Sequence, residues 1–266
     1  MTSPRISLMG IPIDALDARQ AIDHIDAAIT RGDGGWVVTP NLDILRRLVT
    51  DAEFRGLCSS ASLLLPDGTP LVWASRLQRT PLRERVAGSD LIWFLSERAA
   101  LHGWRVFFLG GNPGTAEGAA RFLAQKYPGL VIAGTECPPL GFEHEPDYMN
   151  ALARRLAQAS PHLVYVALGS PKQERVISAL RTGLQGPLSG AWFLGIGISF
   201  SFVVGDVRRA PRWMQRLGFE WLHRLLQEPR RLARRYLIDG LPFALRLWSS
   251  CAIRGFSRRR ALGDNP

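Results

Sequence analysis

Six short apolar runs, most of them handed on to a stretch with helical spacing, constrain this chain more than any other feature. WVVT (36–39) leads into NLDILRRLV, SLLLP (62–66) into GTPLVWASRL, and RVFFLGG (105–111) into PGTAEGAARFLAQKY. LVIAG (130–134) passes through a loop rich in Pro and Gly to DYMNALARRLAQA, LVYVALG (163–169) leads to SPKQERVISAL, and AWFLGIGI (191–198) follows. Strands that alternate with helices call for a parallel sheet covered by helices on both faces. Unbroken apolar runs are what strands buried on both sides look like, and those at 105, 130, 163 and 191 are the clearest. The predicted class is α/β. A chain of 266 residues accommodates one large α/β domain, or one domain with an appendage. With 46% hydrophobic residues, eight Trp and twelve Phe, it has the material for a sizeable core and is no disordered chain.

After RRAP (208–211) the character changes, which predicts an α/β core over 1–204 and a helical appendage over 205–266. The first part holds 19 Lys and Arg against 18 Asp and Glu; the second holds 14 Arg against 5 acids, so nine of the ten net positive charges lie there. In FEWLHRLLQEPRRLARRYLIDGLPFALRLW, Leu222, Leu225, Leu226, Pro229, Leu232, Ala233 and Tyr236 share an apolar helix face, with Arg224, Arg231 and Arg235 on a neighbouring stripe. Pro229 and Pro242 are expected to break the segment. Such a segment packs on the core, lies at a membrane interface, or closes over an anionic substrate, and its arginine density favours the last two. Trp221, Tyr236 and Trp248 would serve as interface anchors or as base-stacking rings.

Other classes are set aside by what is missing. Cys58, Cys137 and Cys251 are odd in number and far apart, which reads as free thiols in a reducing compartment. His24, His102, His144, His162 and His223 show no metal-ligand spacing. MTSPRISLMGIPID lacks the apolar core of a secretory signal, and LPFALRLWSSCAI is interrupted by Arg246 and falls short of the roughly 20 residues a bilayer crossing needs.

In doubly wound sheets, ligands bind beyond the carboxyl ends of the strands. Four segments stand there: TPN (39–41), PDG (66–68), LGGNPG (109–114) and GSPKQE (169–174). LGGNPG, with Gly110 and Gly111, either cradles a phosphate or is a turn that needs glycine. It lacks the GK[ST] of a Walker loop, and GIGISF (195–200) has Phe at the third glycine position of a dinucleotide fingerprint. Ser170, Pro171 and Gln173 fit a capping box, and Asn41 fits an N-cap, so both segments have a purely structural reading too. EHEPD (143–147) suits the start of a helix better than a metal site. No DxD occurs, so a departing diphosphate would be neutralised by arginines rather than a bound metal.

TPNLDIL, LLLPDG, ERVAGSDL (84–91), FFLGGNPG, YPGL (127–130), VALGSPKQE, RRAP and FEWLHRLLQEPRRLARRY, in that order across about residues 8–240, resemble the WecG/TagA/CpsF glycosyltransferases, glycosyltransferase family 26. The resemblance implies a Rossmann-like core with a basic helical C-terminal appendage. It implies inverting transfer, without metal or other cofactor, from a UDP-sugar to a polyprenyl-diphosphate-linked sugar at the cytoplasmic face of the cell membrane. The sugar would be N-acetylmannosamine, its uronic acid or glucose, and the pathway one of surface polysaccharide synthesis. Carried over residue by residue, Asp67 is the general base on the acceptor hydroxyl. Thr39 and Asn41 match the TPN pocket, Arg85 the ERVAG arginine and Gln173 the PKQE glutamine. Arg209, Arg224 and Arg231 fall in the C-terminal motifs expected to neutralise diphosphate. Ser201 stands where many members have an aspartate, which bears on donor choice. Partners would be donor, lipid-linked acceptor and membrane surface rather than nucleic acid, with homo-oligomerisation left open. The competing readings are a nucleotide-dependent oxidoreductase, which lacks its fingerprint, and a nucleic-acid-binding module using the arginine tail.

Overall fold

The computed structural model describes residues 3–182, 188–216 and 218–263, with the side chains of 212, 216, 231 and 260–263 set apart from the description. The chain opens with an antiparallel hairpin, β1 (Arg5–Leu8) and β2 (Ile11–Asp14). Its two turn residues, Met9 at φ 51° and Gly10 at φ 88°, are both left-handed, as a tight hairpin requires. The buried carboxylate of Asp14 then accepts the Leu64 N–H at 2.7 Å, so the hairpin satisfies a donor on the edge of the main sheet.

That sheet is six-stranded and wholly parallel, as the apolar runs predict. It holds β3 (Gly35–Val38), β4 (Leu63–Leu64), β5 (Arg105–Gly110), β6 (Val131–Glu136), β7 (Leu163–Ala167) and β8 (Trp192–Gly195), in the order β4-β3-β8-β7-β5-β6. The six runs of the sequence are these six strands, but the run at 130, expected to be buried on both sides, forms the edge strand β6, and none of that strand's residues is buried. The runs 163–169 and 191–198 each overshoot, because Gly169 at φ 73° and Gly197 at φ 60° turn the chain out of the sheet.

Right-handed crossovers decide which face each helix covers. Connections running toward the β4 edge carry α2 (Leu42–Thr50), α3 (Ala52–Cys58), α7 (Pro146–Ala159) and α8 (Lys172–Thr182). Side chains such as Leu45, Phe54, Leu156 and Ile177 from these helices are buried together on one face, which α4 (Thr69–Leu77) joins through Leu71 and Ala74. Connections running the other way carry α5 (Gly88–His102) and α6 (Thr115–Lys126), whose Leu95 and Ala119 are buried on the other face with Ile25 of α1 (Ala18–Thr30) and Phe200 of α9 (Ser199–Val204). The chain therefore leaves β5 and β7, which are neighbours, toward opposite faces. That is the switch point at which such sheets open a crevice.

The C-terminal quarter is helical, in α10 (Arg212–Arg216), α11 (Glu220–Gln227), α12 (Pro229–Ala233), a π-helical turn (Arg234–Gly240) and α13 (Leu241–Gly263). Of the two predicted proline breaks, Pro229 opens α12, whereas at Pro242 the chain stays helical, passing directly from the π-helical turn, whose Tyr236 O accepts the Leu241 N–H, into α13. Phe243, Leu247 and Cys251 of α13 are buried in the first core, and Trp248 donates to Pro70 O at 3.1 Å. Of the predicted apolar face only Leu232 is buried; Leu226 is 73% exposed and no residue of α11 is buried. Among the described residues no helix is long and apolar enough to cross a membrane.

Candidate active site

The carboxyl edge of β3 and β4 brings TPN, PDG and the ERVAG loop into one place. The Asp67 N–H donates to Pro40 O at 2.8 Å, laying PDG beside TPN, and the Val86 N–H donates to Pro66 O at 2.7 Å, laying ERVAG beside both. Gly68, at φ 119°, lets the chain turn at once from the strand into α4. Asp67 thus stands between strand and helix with its side chain 26% exposed.

Around it closes a ring of alternating charge. Arg85 donates to Asp90 at 2.9 Å and to Glu220 at 2.8 Å, with Asp67 3.9 Å away. Arg209 donates to Asp90 at 2.6 Å and lies 3.6 Å from Glu220. Gln215 accepts a longer bond, 3.4 Å, from Arg85 and donates to Ala210 O. Two arginines face two carboxylates, so the ring is neutral before Asp67 is counted. Burial therefore pushes the Asp67 carboxyl up to about 7; Arg85 and Arg209 pull it down, while Glu220 and Asp90 repel its charge. A carboxyl that changes charge near neutrality is suited to accept a proton in catalysis. Asp90 and Glu220 were not singled out in the sequence, although both lie in quoted motifs, because their roles depend on which arginine they meet.

The remaining predicted residues divide. Thr39 is buried at the end of β3. Asn41 caps α2, its Oδ1 accepting from the Asp43 and Ile44 amides at 3.1 Å each, so the N-cap reading holds and only its Nδ2 is left for a ligand. Gln173 is buried and does not complete the predicted capping box. Its Oε1 accepts the Gly197 N–H at 3.1 Å and its Nε2 donates to Glu174 at 3.0 Å, because α8 begins two residues later than Ser170. The amide pins the turn after β8, where a side chain at Gly195 would come within 2.7 Å of Gln173 Nε2.

Gly110 and Gly111 lie at the switch point, at φ 95° and 84°. A Cβ at Gly110 would stand 2.8 Å from Ala167 O, and one at Gly111 would stand 2.3 Å from Thr115 Oγ1. The Gly111 N–H is engaged by Ala167 O at 2.7 Å, so these glycines answer a steric demand of the turn. They sit three strands from β3, roughly 14 Å along the sheet, at the other end of the same carboxyl edge. Ser201 is buried on α9. Arg224 is on α11 and makes no ion pair among the described residues; Arg231 is on α12, and its side chain lies outside them. Of the EHEPD carboxylates, Asp147 stands in the first turn of α7 and Glu145 at its N-cap position, as expected, while Glu143 pairs with Lys172 at 2.7 Å. No group of three or more His, Cys, Asp or Glu among the described residues is placed to hold a cation.

The fold and site define a Rossmann-like α/β protein with an arginine-ringed carboxylate at the sheet's carboxyl edge. Residues 6–256 match the Glycosyl transferase WecG/TagA/CpsF family, and the chain belongs to that family. It is 31% identical over 229 residues to the N-acetylglucosaminyldiphosphoundecaprenol N-acetyl-beta-D-mannosaminyltransferase of Bacillus subtilis strain 168, covering 86% of each chain. The protein of the same name from Bacillus spizizenii strain W23 is 31% identical over 229 residues, covering 84% of this chain and 85% of that one.

Proposed function

We propose that this glycosyltransferase moves N-acetylmannosamine from a UDP-sugar to the sugar of a polyprenyl-diphosphate-linked acceptor, with inversion and with arginines in place of a metal. The reading rests on one observation above all: a single carboxyl, Asp67, standing at the cleft edge 3.9 Å from Arg85 within an arginine-bearing ring whose other charges cancel. The names of the two Bacillus relatives supply the sugar and the acceptor class.

One base suffices for a single displacement. The acceptor hydroxyl attacks the anomeric carbon opposite the departing UDP, and Asp67 takes its proton as attack proceeds. A donor laid along the carboxyl edge would place its nucleotide toward Gly110 and Gly111 and its sugar toward Thr39 and Asn41. Arg224 and Arg231, which fall in the C-terminal motifs, would supply charge to meet the diphosphate. Ser201, replacing a carboxylate in the nucleotide half, would alter donor affinity.

The C-terminal segment also supports peripheral attachment to the membrane. Trp213, Trp221, Leu226, Ile238 and Leu245 are exposed on a stretch that carries 14 arginines over residues 205–266.

Asp67→Asn tests the chemistry. Turnover should fall by about 10²–10⁴-fold while the fold and UDP binding persist. Near-normal turnover with a UDP-sugar and a lipid-linked acceptor would remove Asp67 from the role of base.

A further inference from the structure

An open cavity of about 480 Å³ runs along α4 and is lined at one end by Arg85, which stands 3.9 Å from Asp67. Its floor is one helical face: Thr69, Val72, Trp73 and Arg76 recur at spacings of three and four residues. Arg83 and Arg85 come from the loop that follows. The size falls within the ~300–1,000 Å³ usual for small-ligand sites.

The arginines of this cavity are not equivalent. Arg85 is consumed by the ring. Arg83 donates to Asp17 at 3.0 Å, and the Glu84 carboxylate accepts the Ala18 N–H at 2.8 Å. Arg76 is exposed and has no carboxylate partner among the described residues. It lies seven residues past Thr69, roughly 10 Å along the helix axis, and helical side chains lean toward the helix N-terminus, here toward Asp67. Apolar surface continues past it: Trp73 is 37% exposed and packs on Trp248, Leu77 is 46% exposed, and Leu245 on the neighbouring α13 is 58% exposed.

From base outward the order is carboxylate, unpaired guanidinium, apolar ridge. Along a sugar-diphospho-lipid the order from the attacking hydroxyl is sugar, diphosphate, hydrocarbon. We infer that this cavity is the acceptor subsite, with Arg76 holding the acceptor's diphosphate and Trp73 lying against the first isoprenoid units. The inference rests on the proposed lipid-linked acceptor and adds where that acceptor lies.

The test is a two-substrate kinetic comparison of Arg76→Ala, Arg76→Lys and a control, Arg121→Ala, on the exposed side of α6. Loss of a charge-assisted contact should raise the acceptor KM roughly tenfold or more in Arg76→Ala and leave the UDP-sugar KM within about twofold. Arg76→Lys should recover part of the loss, since an ammonium still meets phosphate as a point charge, and Arg121→Ala should match wild type. Farnesyl diphosphate should inhibit wild type in competition with the acceptor and inhibit Arg76→Ala about tenfold less well. A rise in donor KM instead would assign the cavity to the donor's diphosphate and overturn the inference, as would unchanged constants for both substrates. If wild type transfers no sugar from any UDP-sugar, the proposed function fails. Calorimetric binding of farnesyl diphosphate to wild type and Arg76→Ala then still reads the subsite, and equal affinities would overturn it.

Discussion

Asp67 shares its arginines with two other carboxylates, and this sharing sets its proton affinity. Glu220 repels the Asp67 charge and also occupies Arg85, so Glu220→Gln acts twice in one direction. The acid limb of kcat/KM, expected near pH 7 in wild type, should move to lower pH in that variant; an unmoved or higher limb would refute the charge-sharing account. Stability carries the same signature. The folded carboxyl keeps its proton to about pH 7, whereas the unfolded one releases it near 3.8. Between those values the folded state binds more protons, so this residue's contribution falls as pH rises through the window. Asp67→Asn should therefore melt with wild type below about pH 4 and several degrees above it at about pH 8, read by calorimetry. Asn41 caps α2, and a ligand role is proposed for it as well. Asn41→Ala should lose about 1 kcal/mol of stability, whereas Asn41→Asp should keep the cap and lose only donor binding, separating the two roles by melting and by KM.

Among the elements, the parallel strands were the most legible because burial on both faces leaves an unbroken apolar run, as in Leu163, Val164, Tyr165 and Val166, all fully buried. The hairpin β1–β2 was not legible, because its turn is Met9-Gly10 rather than the Asn-Gly or Asp-Gly that announces such a turn. The capping box predicted for GSPKQE fits the local pattern, yet a tertiary donor, the Gly197 N–H, takes the Gln173 oxygen. Gln173→Ala should leave that donor without its partner and loosen the turn after β8, costing roughly 1–3 kcal/mol, a loss that denaturant unfolding would report. The glycine loop after β5 has two compatible readings, and the close approach of Ala167 O accounts for the steric one.

For the whole molecule, the basic segment after 204 is tied to the rest at two levels. Arg209 and Glu220 close the ring at the site, and Phe243, Leu247 and Cys251 fill part of a core. Removing residues 205–266 should thus lower stability as well as activity, since it uncovers apolar surface on α4; an unchanged melting midpoint would contradict this. The intact chain should sediment with anionic vesicles and be released by salt, because screening weakens the arginine contribution. The parallel sheet, most of its buried strands and the segments at their carboxyl ends follow from the sequence, because burial and turn chemistry are written locally in residue type and period. The sequence also placed Asp67 and Arg85 in motifs recognisable by order. That Arg85, Asp90, Arg209 and Glu220 neutralise one another and leave Asp67 as the surplus charge emerges with the folded packing, since the balance depends on distances between residues up to 135 positions apart in the chain. The same packing left Arg76 lining a cavity with no carboxylate partner among the described residues, the feature on which the proposed acceptor subsite rests.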